Sequence, residues 1–106
     1  MNDASIWIHF ARPRPHWYKL AVDEKRAQAT AWQAIAARSA EAGAETLGRY
    51  HIRGQHDFQT VEIWRFPSPE AAFDHWSRLT AAHYNEWFAF SNNLGLPMQQ
   101  DVIMPV

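Results

Sequence analysis

The stretch that decides the fold is residues 57–90, DFQTVEIWRFPSPEAAFDHWSRLTAAHYNEWFAF. In residues 58–66 apolar and polar side chains largely alternate, and several residues are β-branched or aromatic. This is the pattern of a half-buried strand. Ser68 and Pro69 follow, and these residue types favour the N-cap and the first position of a helix. The stretch therefore predicts a strand that leads through a short turn into a helix.

The predicted second helix carries an aromatic stripe. At about 100° per residue, seven positions fall close to one line along this helix. They are Ala72, Trp76, Leu79, Thr80, His83, Trp87 and Phe90. We expect this line to face inward, which places His83 among aromatic side chains, and we expect residues 92–97 to break the helix.

The flanking segments complete the element order. Strands are expected at residues 5–10, 45–53 and 98–106, and a first helix at residues 24–42. Asp23 suits the N-cap of that helix, Gly43 suits its left-handed C-terminal residue, and residues 54–57 suit a hairpin turn. The order β-α-β-β-α-β predicts an α+β, ferredoxin-like fold, in which a four-stranded, mainly antiparallel sheet carries two helices on one face.

Composition narrows the class of protein. The 106 residues, 47% hydrophobic and 20% charged, indicate one folded domain over residues 1–106. The net charge is −1 and the basic residues are scattered, so nucleic acid is not an expected partner. No apolar run reaches the roughly 18 residues of a membrane span, and residues 1–5 lack the features of a signal peptide, so we expect a cytoplasmic protein. The absence of cysteine excludes thiolate chemistry and disulfides.

Side-chain alternation predicts which residues lie on each face of the sheet. The helices are expected to cover Ile6, Ile8, Tyr50, Ile52, Val61 and Ile63. The opposite face then carries Trp7, His9, Leu47, Arg49, His51, Thr60, Glu62 and Trp64. Because exposed aromatic surface usually marks an interface, we expect a homodimer in which two sheets pack face to face. Its interface would consist of Trp7, His9, Arg49, His51, Glu62 and Trp64. An alternative interpretation makes Arg49, His51 and Glu62 an active site.

Two families resemble parts of this chain. Residues 61–73, VEIWRFPSPEAAF, resemble the dimeric α/β-barrel superfamily of the antibiotic-biosynthesis-monooxygenase type, in which a strand ending in an aromatic residue runs into a helix started by Ser and Pro. This resemblance implies a dimeric α/β barrel of ferredoxin-like subunits. Residues 15–17, PHW, with Leu20 and Arg26 before an alanine-rich helix, are also similar to the darcynin group of uncharacterised bacterial proteins, which implies no activity.

Haem-degrading monooxygenases of the same superfamily suggest a cofactor. Their second helix carries Ala-Phe-x-x-Trp and then Ala-Ala-His, whose histidine ligates the iron. This chain has AFDHW at residues 72–76 and AAH at residues 81–83, with a shorter spacing between the two motifs. The resemblance implies haem with Trp76 against the macrocycle and His83 as the axial ligand.

The leading functional prediction is a pocket between the second helix and the sheet. A partly desolvated His83 would act there as a general base, and Tyr50, Trp76 and Trp87 would bind a planar aromatic or polyketide-like molecule by stacking. The superfamily resemblance implies a cofactor-free monooxygenase, isomerase or cyclase. The alternatives are a non-catalytic binding or structural dimer, in which His83 is a structural core residue, and a haem-binding monooxygenase. No metal site is predicted, because His75 and His83 are too far apart on a helix to share an ion.

Overall fold

The computed structural model describes residues 4–98. Within this range the secondary structure elements follow in the order β1 (Ser5–Pro13), α1 (Val22–Glu41), β2 (Glu45–His51), β3 (Thr60–Phe66), α2 (Pro69–Ala81), α3 (Tyr84–Trp87) and β4 (Phe88–Gly95). A 3-10 helix, Pro15–Lys19, links β1 to α1. None of the helices between residues 4 and 98 is both long enough and apolar enough to cross a bilayer.

The four strands form one antiparallel sheet in the order β2-β3-β1-β4, with β1 and β3 at its centre. Helices α1 and α2 pack on each other and lie on one side of the sheet. The predicted ferredoxin-like α+β fold is therefore confirmed. Strand β1 is longer than expected and includes Pro13, which pairs with Phe88 at its last position, where a missing N–H costs one ladder bond at most.

The starts of the helices follow local capping chemistry. Ser68 Oγ accepts a hydrogen bond from the Ala71 amide over 3.1 Å, and Pro69 opens α2 as predicted. Helix α1 begins earlier than expected, with Ala21 as the N-cap and Asp23 inside the first turn. The Glu24 carboxylate accepts a hydrogen bond from the Ala21 amide over 2.9 Å. Glu24 therefore satisfies a backbone donor at the helix start, whereas Asp23 was expected to be the capping residue.

The predicted end of the second helix is wrong. Helix α2 ends at Ala81, because His83 adopts a left-handed conformation with φ of 69°. The chain then makes the short helix α3 and turns into β4, so Phe90 belongs to a strand. The predicted strand at residues 98–106 lies outside the described residues except for Met98, which is not in a strand.

The predicted assignment of the two sheet faces is also wrong. Trp7 and Trp64, at 3% and 6% exposure, lie beneath the helices, where Phe66, Ala72 and Leu79 complete the core. The open face instead carries a half-buried apolar cluster on the central strands: Ile6, Ile8, Phe10, Val61 and Ile63. Both faces are apolar, so hydrophobicity alone does not indicate which one the helices cover.

Candidate functional site

A cavity of about 420 Å³ lies between the sheet and the helices. It exists because α1 packs chiefly on α2 and stands away from the strands. The α1 residues that line it include Ala29 and Ala36, whose small side chains leave the space open. The site was predicted between the second helix and the sheet, whereas α1 forms its roof and α2 one of its walls.

Aromatic side chains form much of the cavity wall. Trp17 from the 3-10 helix stacks on Trp32 of α1, with ring centroids 5.6 Å apart and planes 29° apart. Phe88 packs against both tryptophans and stacks on Tyr84, with centroids 5.1 Å apart in the last pair. Trp64 closes the side nearest the core. These rings offer flat apolar surfaces to a bound molecule.

A polar row crosses the helix side of the sheet, and three of its four members, Arg49, Glu62 and His9, line the floor of the cavity. Arg49 of β2 lies opposite Glu62 of β3, Glu62 lies opposite His9 of β1, and His9 lies opposite Asn92 of β4. Directly opposite residues of an antiparallel pair point to the same face, so all four side chains share the helix side of the sheet. The polar row is Arg49, Glu62, His9 and Asn92, one residue from each strand.

His9 is fixed at both ring nitrogens. Its Nδ1 lies 2.6 Å from Asn92 Oδ1, and its Nε2 lies 2.8 Å from the Tyr84 hydroxyl. An amide oxygen can only accept, so Nδ1 carries the proton and Nε2 accepts from Tyr84. Burial lowers the pKa of His9 to about 4; the Asn92 hydrogen bond opposes this shift and the charge of Arg49 adds to it. Burial also raises the pKa of Tyr84, so both groups are neutral at neutral pH.

In the polar row, the Glu62 carboxylate is the hydrogen-bond acceptor that can still accept further hydrogen bonds. Arg49 Nε lies 3.5 Å from Glu62 Oε2, and the Glu62 side chain is 26% exposed. Burial raises the pKa of Glu62, against the opposing effects of Arg49 and of the Trp64 indole N–H. The indole is close enough to act on the carboxylate but does not reach hydrogen-bond geometry with any acceptor among residues 4–98. Glu62 and Trp64 thus leave hydrogen-bonding capacity for a ligand.

His75 of α2 is the other buried histidine that lines the cavity. It is 2% exposed and packs against the rings of Trp7, Trp64 and Phe66 at centroid distances of 5.1 to 5.2 Å. Its Nδ1 lies 2.6 Å from Ser39 Oγ, and in the described part of the chain Nε2 has no hydrogen bond. Burial lowers the pKa of His75 to about 4, as does the nearby His9, so the ring is neutral.

The residues predicted to form the site do not line this cavity. His83 is 66% exposed, precedes α3 and lies 4.0 Å from Glu86, so its predicted burial in the aromatic stripe is wrong. Tyr50 is 54% exposed and shares the open face of the sheet with Val61. Trp76 lines a smaller cavity of about 200 Å³ between α2 and β4. Trp87 packs on His16 outside the main cavity.

The cavity instead contains residues that were expected in a dimer interface. His9, Arg49, His51, Glu62 and Trp64 all line it. Residues that sequence reasoning missed are Tyr84, His75 and Asn92. The position of His75, three residues after the buried Ala72 and four before the buried Leu79, was an available signal, because that spacing keeps one helix face. Between residues 4 and 98, no group of three or more His, Asp or Glu side chains is arranged to hold a metal ion.

Comparison with solved structures shows which known proteins have the same fold. A chlorite dismutase variant from Candidatus Nitrospira defluvii superposes with a TM-score of 0.76 at 8% identity, over 93% of this chain and 42% of that one. The fold is shared with the chlorite dismutases. A candidate chlorite dismutase gives 0.71 at 19% identity, over 92% of this chain and 46% of that one. A heme-binding protein from Thermus thermophilus gives 0.72 at 12% identity, over 91% and 40%.

The likeness is one of structure. No protein-family model matches the chain, and no curated protein is similar to it. Identities of 8 to 19% establish the fold alone. The chain spans less than half the length of each of these three solved structures.

Proposed function

We propose that the protein binds a planar aromatic small molecule in the cavity between the sheet and α1. The observation that carries this proposal is a cavity of about 420 Å³ with aromatic walls and a polar row along its floor. Small-molecule sites typically enclose about 300–1,000 Å³, with apolar walls and a few placed polar groups. Trp17, Trp32 and Phe88 supply stacking surfaces, while Glu62 and Tyr84 orient the ligand.

Binding is better supported than catalysis by a histidine base. A general base works best when its pKa lies near the operating pH, whereas burial holds the pKa of His9 and of His75 at about 4. Both nitrogens of His9 are already engaged. The base role predicted for His83 finds no support in its exposed position. His9 instead serves to hold Tyr84 in place.

Filling the cavity from α1 tests the binding proposal. Ala29→Phe places a ring in the cavity, and we expect it to weaken binding of flavone, a planar aromatic probe, by about tenfold or more, a loss of about 1.4 kcal/mol. Quenching of the fluorescence of Trp17 and Trp32 measures the affinity. Ala37→Phe, at an exposed position of the same helix, is the matched control and should bind as the wild type does. Equal affinities in all three proteins, or no quenching in the wild type, would contradict the proposal.

Haem is a second candidate ligand, favoured by the chemistry of His75. The donor fits: a neutral, buried imidazole lines the cavity with an unbonded Nε2, and Ser39 fixes the ring through Nδ1, as partners of metal-bound histidines do. A solved structure of the same fold is described as a heme-binding protein. His75 would hold the iron, and Trp32 and Trp64, which line the same cavity, would contact the bound group. Bound haem would supply redox chemistry at the iron.

Haem titration separates the two histidines. We expect the wild type to develop a Soret band on addition of hemin, and we expect His75→Ala to lose it because the imidazole that would hold the iron is gone. His83→Ala should retain the band, since His83 does not line the cavity. A band that survives in His75→Ala and disappears in His83→Ala would restore the ligand implied by the sequence resemblance and refute the assignment to His75.

We also propose that a second copy of the chain covers the open face of the sheet. The apolar cluster on that face, Ile6, Ile8, Phe10, Val61 and Ile63, is only half-buried in one subunit. Domains normally cover both faces of an apolar sheet. Solved structures of this fold contain more than twice the length that one copy matches, so a pair of copies approaches the size of one such chain. The proposal retains the predicted homodimer but assigns its interface to the open face of the sheet, opposite the face that was expected.

A further inference from the structure

We propose that Glu62 accepts the proton of a ligand hydroxyl, so that the cavity binds acidic hydroxyaromatic molecules as their phenolates. The proposal rests on the proposed binding function and goes one step further, because it names the ligand class and the group that recognises it. It starts from the polar row, in which Glu62 is the one carboxylate.

The position of Glu62 leaves a place for a ligand hydroxyl. Its side chain is only 26% exposed, and among the described residues its carboxylate has one ion-pair partner, Arg49 Nε, at 3.5 Å. Buried carboxylates are normally stabilised by several hydrogen bonds, and one with few is costly to bury. A hydroxyl from a molecule lying against Trp32 would supply the missing donor. The unpartnered indole N–H of Trp64 would in turn donate to the ligand.

The proton step balances without any co-reactant. The O–H bond of the ligand breaks, its oxygen keeps the electron pair, and the proton forms a bond to a carboxylate oxygen of Glu62. The Glu62–Arg49 ion pair then becomes a neutral acid beside a guanidinium, and Arg49 pairs with the new phenolate. One negative charge is lost at Glu62 and one is gained on the ligand, so the net charge of the cavity is unchanged.

Glu62 suits this role better than the groups around it. His9 of β1 has no free nitrogen, Tyr84 of α3 donates to His9, and Arg49 of β2 is the positive charge beside the carboxylate. Burial raises the pKa of Glu62 and lowers that of His9 to about 4. These opposite shifts suit Glu62 as the proton acceptor and His9 as a neutral residue that supports the site.

The difference in acidity selects the ligand class. An ordinary phenol has a pKa of about 10 and a glutamate about 4.3, a gap of roughly six units. Arg49 also lowers the pKa of Glu62, so it narrows this gap, by about one to three units, only by pairing with the phenolate once Glu62 has taken the proton. The hydroxyl must therefore be acidified by an electron-withdrawing ring substituent, such as a conjugated carbonyl or nitro group.

The test uses two probes that differ by one methyl group. Para-nitrophenol has the acidic hydroxyl, whereas its methyl ether, para-nitroanisole, has no hydroxyl proton to transfer. At about one pH unit below the pKa of free para-nitrophenol, we expect the wild type to produce the phenolate absorbance band on binding. We also expect no proton release, measured by calorimetry in buffers of different ionisation enthalpy, because Glu62 keeps the proton.

Two variants identify the acceptor. In Glu62→Gln, each bound phenolate should release about one proton to the buffer, because no acceptor remains beside Arg49. Glu45→Gln, which removes an exposed carboxylate of β2 paired with Arg65, should behave as the wild type does. Retained binding of para-nitroanisole shows that Glu62→Gln is folded.

The outcomes separate this inference from the binding proposal. Two results would overturn the role of Glu62 and leave the binding function standing, provided that para-nitroanisole binds. In the first, the wild type binds para-nitrophenol as the neutral phenol. In the second, it binds the phenolate but releases a full proton to the buffer. Failure of both probes to bind while flavone still binds overturns the ligand class assigned here, and failure of flavone as well overturns the two proposals together.

Discussion

Lowering the pH from about 7 to about 5 is expected to reduce the free energy of unfolding by several kcal/mol. His9 and His75 have pKa values near 4 in the folded protein and near 6.5 in the unfolded chain. The unfolded state therefore binds more protons between these values, so stability is full above about pH 6.5 and is lost as the pH falls through about 4. Each histidine contributes about 2 kcal/mol to the loss by about pH 5.

The surroundings of the two rings explain why the loss is large. His9 faces Arg49 of β2 and the neutral Tyr84 and Asn92, and His75 faces His9 across Trp7. Among the charged groups acting on either ring, Asp74 favours the protonated form of His75, but it lies exposed. Glu62, whose pKa is raised, stabilises the fold as the pH falls, so the net loss should be smaller than the sum of the two histidine contributions.

Urea titrations at the two pH values, at one protein concentration, measure this effect. We expect the loss of unfolding free energy to fall to roughly half in His75→Asn, which keeps a polar partner for Ser39 but cannot be protonated. His83→Gln is the control: His83 is exposed, so the full pH dependence should remain. An unchanged pH dependence in His75→Asn would show that His75 is not a buried neutral histidine.

Ile8→Asp is expected to convert a dimer into monomers. Ile8 lies at the centre of the apolar cluster on the open face, opposite Ile63. A carboxylate buried there would cost several kcal/mol, which corresponds to about a thousandfold or greater weakening of association. Light scattering coupled to gel filtration should give twice the chain mass of 12.3 kDa for the wild type and the single mass for the variant.

A helix variant controls for charge alone. Phe73→Asp introduces the same charge on α2, on the opposite side of the sheet, at a residue that is 68% exposed. It should leave the dimer intact. Circular dichroism shows whether Ile8→Asp remains folded, and Ile63→Lys tests the same face from β3. A wild type that is monomeric at tens of micromolar, or a folded Ile8→Asp that stays dimeric, would refute the proposed interface.

The order of the elements could be predicted because local signals agree with the tertiary fold. Ser68 caps α2 and Gly43, with φ of 106°, ends α1, as their residue types indicate. The end of α2 could not be predicted. Leu79, His83 and Trp87 continue the helical spacing, yet His83 adopts a left-handed conformation that residues other than glycine rarely take. A spacing pattern contains no information on where such a conformation will occur.

The candidate site was harder to predict than the fold. A sheet with hydrophobic side chains on both faces does not reveal which face the helices cover, so His9 and Glu62 were expected in an interface. Asn92 lies in a segment whose Asn and Gly residues are typical of a turn. The cavity itself depends on how far α1 stands from the sheet, which its alanine-rich sequence does not specify.

The polar row forms only when the strands pair in the native register, so the proposed ligand recognition depends on correct strand pairing. Its four members come from four strands, and each meets the next only in the native alignment. If β4 were displaced by two residues, a hydrophobic residue, Phe90 or Leu94, would take the place of Asn92 beside His9. The imidazole would then lose the acceptor that sets its tautomer. A mispaired sheet would therefore lack the proposed binding site as well as being less stable, so the proposed ligand binding would report on correct folding.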